Sequence, residues 1–498
     1  MQLSKSDYML YLRHPAWLWL KKHDKSKIPP INAATQARFD AGHDFETYAE
    51  HLFPGGTRLG FDNFDEYADL PARTEKTIQG GSQHIFQGRF EHGDITCIVD
   101  VLSAAGNDEF DLTEIKSTTK VKPEHVRDLA FQLIVLEGAG YKIRNISVAF
   151  VNNEYVRHGE INPQELVSLE DITEQVREIE AETRETIPKA IAAMNSKTMP
   201  DPSPRFVDTS FDKALETWLN IYVNLNGKSD PYSIFNLAGL NAEMVGTFES
   251  RGIRTIGEIP ADFHLSIRQQ EQVEATRTGE RIIDTPSIRE FIDALQFPLY
   301  FLDFETASST VPLFDGTRPY QQVPFQYSLH VVNEPGGAEI PREYLHLKDT
   351  SPVESLLEHL VADIGDQGSI LAWSIGFEKG RNSEMGEAFP KYAALMKQFN
   401  ERMIDLKNPF SKGWFTDKDF FGSASLKDVL PVLIPKLAYD DLEIQGGVTA
   451  QRVWMDAILR GKNPASRDKA IVDLKAYCER DTLAMVEIWR ILNDIVSK

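Results

Sequence analysis

Apolar and polar positions along this 498-residue chain follow two periods, and each change of period marks an element. ITCIVDVLS (95 to 103) and FDLTEIKS (110 to 117) are β-rich runs on either side of the turn AAGND, which predicts adjacent strands. PEHVRDLAFQLIVLEGAG (123 to 140) follows with helical spacing and a closing glycine, and ISVAFVN (146 to 152) returns to strand. Upstream, Thr35 to Phe53 has helical spacing. The opening MQLSKSDYMLYLRHPAWLWLKKH predicts one amphipathic helix rather than a leader, because Arg13, His14 and Pro15 break its apolar run and no small-residue cleavage site follows. TMPDPSPRF marks a break near residue 200.

Short helical patterns fill 205 to 295, where IFNLAGLNAEMVGTFESRGIRTIGEIP turns at Gly252-Ile253. This stretch reads either as a packed helical linker or as a helix-hairpin that grips a phosphate backbone through turn amides. The pattern then changes again. FPLYFLDFETAS (297 to 308) is a nearly continuous apolar run, as in a strand buried on both faces, and SILAWSIGFEKG (369 to 380) reads as a second such strand entering a helix. AIVDLKAYCERDTLAMVEIWRIL (470 to 492) is a long helix. The expected class is α/β, in segments 1–204, 205–295 and 296–498, the last with a mixed sheet faced by helices.

Composition narrows the choice. Apolar residues at 42% and charged residues at 26% exclude a disordered or fibrous chain. No run is long enough to cross a bilayer, so a cytoplasmic protein is expected. The two cysteines, Cys97 and Cys478, lie in apolar patterns and exclude a disulfide framework or a zinc site built from several thiolates; both read as packing residues. A net charge of -22 argues against a general polyanion binder. The charge is uneven, however: EDITEQVREIEAETRETI (170 to 187) reads as a solvated acidic helix, whereas the first 30 residues and Lys116 to Arg127 are basic.

The chemistry lies in spaced carboxylates. Asp303 and Glu305 are two apart on a strand, so both point to one face while Phe304 points into the core. Carboxylates amid FPLYFL need compensation for lost hydration, and Mg²⁺ or Mn²⁺ would provide it. Glu378 follows the second buried strand, and Tyr477 and Asp481, four apart, share a face of the late helix. Asp481 can then hold metal while Tyr477 orients water. FLDFETA, SIGFEKG and YCERDT in this order resemble the three motifs of the tyrosine-bearing DnaQ-like (DEDD) 3′-5′ exonucleases, with an RNase H-like fold. Glu378 stands where that family has Asp, and its customary Asn is missing. MIDLKNPF and GSASLKDVLP resemble the family's connecting segment, where an SLK-type helix lines the substrate groove. The resemblance implies in-line hydrolysis with two metals, held by Asp303, Glu305, Glu378 and Asp481.

A second candidate centre lies upstream. Asp100 followed by Glu114-Ile115-Lys116 has the form D…ExK, in which two carboxylates bind metal and the lysine stabilises developing charge. With Gly42 and Glu46 on the preceding helix and Gln132 in DLAFQ, the order resembles the RecB-like branch of the PD-(D/E)xK nucleases, Glu46 replacing the commoner His as a metal ligand. Leu136 stands where a tyrosine is frequent. The segment LSKSDYMLYLRHPAWLWLKKH resembles the start of relatives that carry a cysteine before the proline and hold an iron-sulfur cluster. His14 occupies that position here, and the end of this segment has no cysteine, so no cluster is expected.

Together the resemblances point to an uncharacterised bacterial family that fuses a RecB-like PD-(D/E)xK nuclease domain to a DnaQ-like exonuclease domain. They imply a divalent-metal-dependent nuclease whose nucleic acid substrate is DNA, in DNA repair or defence. Asp100, Glu114, Lys116, Gln132, Asp303, Glu305, Glu378, Tyr477 and Asp481 would be its catalytic residues. The chain lacks a P-loop, so any helicase would be a separate protein partner. Two alternatives stay open: a degenerate nucleic-acid-binding scaffold, and a phosphodiesterase acting on oligonucleotides.

Overall fold

Elements form where the local chemistry starts and stops them. In the computed structural model, which describes residues 2–31, 33–225, 230–462 and 464–497, the opening segment is a strand and two helices rather than one helix. β1 (Leu3–Ser4) leads into α1 (Lys5–Arg13), and α2 (Pro15–His23) follows at once. Ser4 and Asp7 form a capping box at the start of α1. The break falls at His14, which is extended at φ -166°, because the residue before a proline is driven out of the helical region and Pro15 suits the first helical position.

The chain forms two compact units: Met1–Ser229 with Asn241–Thr247 and Ser309–Tyr320, and Asp230–Leu240 with Phe248–Ser308 and Gln321–Lys498. The segment 205–295 is therefore divided between them.

In the first unit, α3 (Ala33–Ala49), β2 (Thr57–Arg58), α4 (Phe64–Gln79), β3 (His84–His92), β4 (Ile95–Gly106), β5 (Glu109–Lys116), α5 (Pro123–Gly138), β6 (Lys142–Val151) and β7 (Val167–Asp171) follow in order. The seven-stranded sheet runs β2-β3-β4-β5-β6-β7, with β1 also paired to β4. β3, β4 and β5 are antiparallel, and β5 and β6 are parallel across the α5 crossover. The stretch 170 to 187 is not one helix: it ends β7 and enters the helices Thr173–Glu178 and Glu180–Asn195. α5 buries Leu129, Phe131, Leu133 and Leu136 against Val99, Leu112 and Val148 of the sheet.

This unit is closed by packing. The His14 ring stacks on Trp218 with centroids 4.0 Å apart. Its Nδ1 accepts the Ala16 N–H at 3.1 Å, and its Nε2 lies 3.0 Å from the Ser203 carbonyl. Ala16, Leu20, Val207, Phe211 and Ile221 complete the apolar cluster around Trp218.

In the second unit, β8 (Ile282–Ile283) pairs with β14 (Phe415–Thr416) as a small ribbon. The main sheet contains β9 (Leu299–Ala307), β10 (Val323–Val332), β11 (Glu339–Leu345), β12 (Ser369–Ala372) and β13 (Met403–Asp405), ordered β11-β10-β9-β12-β13. β11, β10 and β9 are antiparallel, whereas β9, β12 and β13 are parallel, which makes the sheet mixed. β10 is buried along its whole length, and the C-terminal helix Arg467–Ser497 packs over β9 and β10. Both units thus have mixed α/β architecture, and no described helix is long and apolar enough to cross a membrane.

Candidate active sites

β9 lies at the middle of the second sheet, and its two-residue period puts Asp303 and Glu305 on one face while Phe304, 4% exposed, faces the core. Opposite them on β10 stand Ser328 and Gln326. The C-terminal helix supplies Tyr477, Cys478 and Asp481. Asp303, Glu305 and Cys478 each offer a ligand atom, and the three atoms lie within 4.8 Å of one another. Tyr439 donates its hydroxyl proton to Asp481. Lys427 Nζ donates to Tyr477 Oη at 3.3 Å and to the Gln445 carbonyl at 2.6 Å, and it sits 5.2 Å from the centre of the Tyr477 ring.

The electrostatics are those of crowded, desolvated carboxylates. Burial and the charges of Asp481, Glu305 and Glu378 push Asp303 well above its ordinary range. Glu305 is pushed up to about 8, chiefly by burial and then by Asp481, with Lys427 opposing. Asp481 rises to about 6 through burial, restrained by Tyr439, Lys427 and Arg480. Among the described residues no hydrogen bond reaches the Glu305 carboxylate, although the residue is only 6% exposed.

Glu378 is the third residue of the helix Gly376–Ala388, which follows β12. It acts on Asp303 through its charge. Burial raises it to about 7, and among the described residues its Oε2 has no hydrogen-bond partner. Asp405 anchors the start of this helix by accepting the Ser374 N–H at 3.0 Å and the Ile375 N–H at 3.3 Å.

The D…ExK residues of the first unit also converge, in a different electrostatic state. Asp100 Oδ2 accepts the Ile115 N–H at 2.8 Å, and its Oδ1 accepts Gln87 Nε2 at 3.3 Å. Glu114 Oε1 accepts from Lys116 at 2.5 Å and from Lys5 at 2.8 Å, while Oε2 accepts Gln132 Nε2 at 2.7 Å. Lys116 and Gln132 both reach Asp128, at 3.0 Å each. Among the described residues Glu46 joins through Gln87 alone, whose Nε2 donates to its Oε1 at 2.7 Å, and Arg58 pairs with the same oxygen at 3.1 Å. Gly42 sits one turn earlier, with room for a methyl group 3.6 Å from Ser117 Oγ.

Burial alone would raise Glu114, but the ammoniums of Lys116 and Lys5 outweigh it and hold this carboxyl well below the usual range. Asp100, raised by burial and by Glu114, goes up to about 7.

Several partners escaped the sequence reading. Asp128 lies one helical turn before Gln132, so the i,i+4 rule could have found it. Lys427 lies inside the SLK segment. Lys5 and Asp405 likewise lie inside the LSKSDYML and MIDLKNPF segments, whereas Gln87 and Tyr439 carry no local signal, since their partners are distant in sequence. Both cysteines are buried, and the Cys478 Sγ lies 3.9 Å from Asp303 Oδ2.

Fold and site together define a mixed α/β protein with a buried acidic centre on the middle strand of one sheet and a lysine-carboxylate centre on the other. Residues 300–425, which include Asp303, Glu305 and Glu378, match a family model described as a domain of unknown function (DUF2779). Over 221 residues the chain is 26% identical to "Uncharacterized protein MG366" of Mycoplasma genitalium, and over 215 residues 25% identical to the "MG366 homolog" of Mycoplasma pneumoniae. Each match covers 40% of this chain and 32% of the relative, so the chain spans about a third of the length of the curated relatives it matches.

Proposed function

We propose that the chain is a divalent-metal-dependent nuclease that hydrolyses phosphodiester bonds of DNA, with the β9 centre as its principal active site. The observation that carries this reading is Glu305: a buried carboxylate that accepts no hydrogen bond from any described residue, beside Asp303 and Asp481, with Lys427 as the ammonium that faces it. Such a cluster is costly unless a cation compensates it. Hard oxygen donors suit Mg²⁺ or Mn²⁺, so the residues fit the group. An ion held by Asp303, Glu305 and Asp481 would supply Lewis-acid stabilisation of phosphoryl charge and an acidified water.

The protein's own groups have separable tasks. Tyr477, tied to Lys427 at 3.3 Å, orients the attacking water through its hydroxyl. Lys427 offers positive charge to the phosphate. Tyr439 fixes the rotamer of Asp481 by its hydrogen bond. Glu378, raised to about 7 by burial, is a protonatable group whose charge acts on Asp303. A DnaQ-like fold for the second unit and a RecB-like fold for the first belong to the same proposal, as do action in DNA repair or defence and a cytoplasmic location.

At the D…ExK centre a different observation favours a second reading. Every oxygen of Asp100 and Glu114 already accepts a hydrogen bond, and Lys5 and Lys116 neutralise Glu114, so a metal ion fits less well there. The first unit would then bind nucleic acid without cutting it, as a degenerate scaffold does.

End-labelled single- and double-stranded DNA, digested in Mg²⁺ or Mn²⁺ by the wild type, Asp303→Ala and Glu114→Ala, tests both. The expected result is cleavage abolished by Asp303→Ala and largely kept by Glu114→Ala. Cleavage undiminished by either substitution would sink the site assignments, and products from short oligonucleotides alone would redirect the reading to an oligonucleotide phosphodiesterase.

A further inference from the structure

We infer that Cys478 is a ligand of the β9 centre, and that it gives this centre an affinity for thiophilic divalent ions such as Zn²⁺, Co²⁺ and Cd²⁺ beyond what its carboxylates provide. The inference rests on the reading that the centre holds a divalent cation, and it adds the identity of the ion. Cys478 Sγ lies 3.9 Å from Asp303 Oδ2 and within 4.8 Å of a Glu305 carboxylate oxygen. A tetrahedral ion with ordinary metal-sulfur and metal-oxygen bonds holds its S and O ligands about 3.6 Å apart, so closing on an ion takes a shift of a few tenths of an ångström between Cys478 and Asp303 and of up to about 1.2 Å between Cys478 and Glu305.

A second observation points to a cation at the same place. Glu305, only 6% exposed, offers its carboxylate to the cluster with no hydrogen bond from any described residue. Simple packing does not account for the thiol, since an apolar residue would fill the space without directing a donor at Asp303. Cys97 provides the contrast: it feels the charges of Lys5, Glu114 and Asp128, but it is buried in the apolar cluster with Leu3, Val99 and Leu133, and among the described residues no carboxylate oxygen lies in hydrogen-bond contact with its thiol. Thiolate is a soft donor, and its presence among hard oxygens shifts preference from Mg²⁺ toward the later, more thiophilic ions. As the sulfur-metal bond forms, the S–H bond breaks and its proton passes to solvent, with no change of oxidation state.

Because the chain has two cysteines, the test is direct. Co²⁺ is titrated into wild type, Cys97→Ser and Cys478→Ser, and the sulfur-to-cobalt charge-transfer absorption in the near ultraviolet is read beside the visible ligand-field bands. Wild type and Cys97→Ser should show the charge-transfer band and Cys478→Ser should lose it. Zn²⁺ affinity should fall roughly tenfold or more in Cys478→Ser while Mn²⁺ affinity stays within about twofold. If Cys478→Ser fails to fold, the band in Cys97→Ser, where Cys478 is the remaining thiol, still decides. Ligand-field bands without charge transfer in Cys97→Ser would overturn the thiolate ligand and leave the metal centre standing. Absence of any Co²⁺, Zn²⁺ or Mn²⁺ binding would overturn both.

Discussion

Glu305→Gln replaces a buried, repelled carboxylate by a neutral group of the same shape, and its expected effects on stability and on cleavage have opposite signs. Glu305 is displaced from 4.5 to about 8 by burial and by Asp481. A carboxyl whose folded pKa lies above its unfolded one binds its proton more tightly when folded. Its contribution is complete below pH 4.5 and is lost as pH rises through 8. Each pH unit across that window is worth about 1.4 kcal/mol, so the ceiling at pH 8 is about 4 kcal/mol. Thermal unfolding in EDTA from pH 5 to 9 should show the wild type losing stability with rising pH and Glu305→Gln losing distinctly less. At pH 8 the variant should melt several degrees higher, since about 1 kcal/mol moves the midpoint of a unit this size by roughly 2 to 4 °C. Adding Mn²⁺ should stabilise the wild type far more than the variant, and Mn²⁺-dependent cleavage should be lost. Parallel pH curves for the two proteins, or equal stabilisation by Mn²⁺, would refute a repelling carboxylate cluster that a cation relieves.

Three further outcomes follow from other contacts. Tyr477→Phe keeps the ring but removes the hydroxyl tied to Lys427; kcat should fall roughly tenfold to a hundredfold while Mn²⁺ affinity measured by calorimetry is unchanged. Lys5→Met breaks a buried pair with Glu114, which is 1% exposed; urea denaturation should show a loss of about 3 kcal/mol, and a double-mutant cycle with Glu114→Gln should give clear coupling, whereas strict additivity would remove Lys5 from the centre. His14 is held at about 4, chiefly by burial. Its folded pKa lies below its unfolded value, so its contribution is present above pH 6.5 and is lost as pH falls toward 4, by up to about 3 kcal/mol. His14→Phe should flatten that acid limb; His125, also near 4, titrates in both proteins and drops out of the difference.

The candidate sites were legible wherever one element carries two members at its own period. Asp303 and Glu305 share a strand face, and Tyr477 and Asp481 share a helix face, so each pair could be read locally. The strand pair flanking AAGND and the helix ending in glycine were legible for the same reason. What stayed hidden depends on residues distant in sequence. Lys5 reaches Glu114 across 109 positions, and Lys427 reaches Tyr477 across 50. The closure around His14 was equally hidden, because it depends on Trp218 and Ser203 arriving from the end of the unit. The split of the opening segment into two helices was available in Pro15, but the amphipathic pattern, which runs on across the break, masked it.

The two centres share buried carboxylates, but their glutamates, Glu114 and Glu305, have been driven in opposite directions. At the D…ExK centre two ammoniums and an amide satisfy Glu114, and burial and Glu114 raise Asp100 to about 7. At β9 the carboxylates are raised because burial and their neighbours' charges oppose ionisation, and Glu305 is left without a donor among the described residues. A fold retains such frustration at a cost, and residues that break the ordinary rules of burial are where function is expected. A motif reports that carboxylates lie close together; it does not report whether lysines have already answered their charge. The acidic balance of -22 bears on the same point. Repulsion of DNA by the whole-molecule field acts over a screening length of about 8 Å in physiological salt, whereas a cation held at β9 would meet a phosphate at bonding distance. The local charge after cation binding therefore decides whether the centre can engage a phosphodiester, and net charge sets mainly how strongly salt affects the approach.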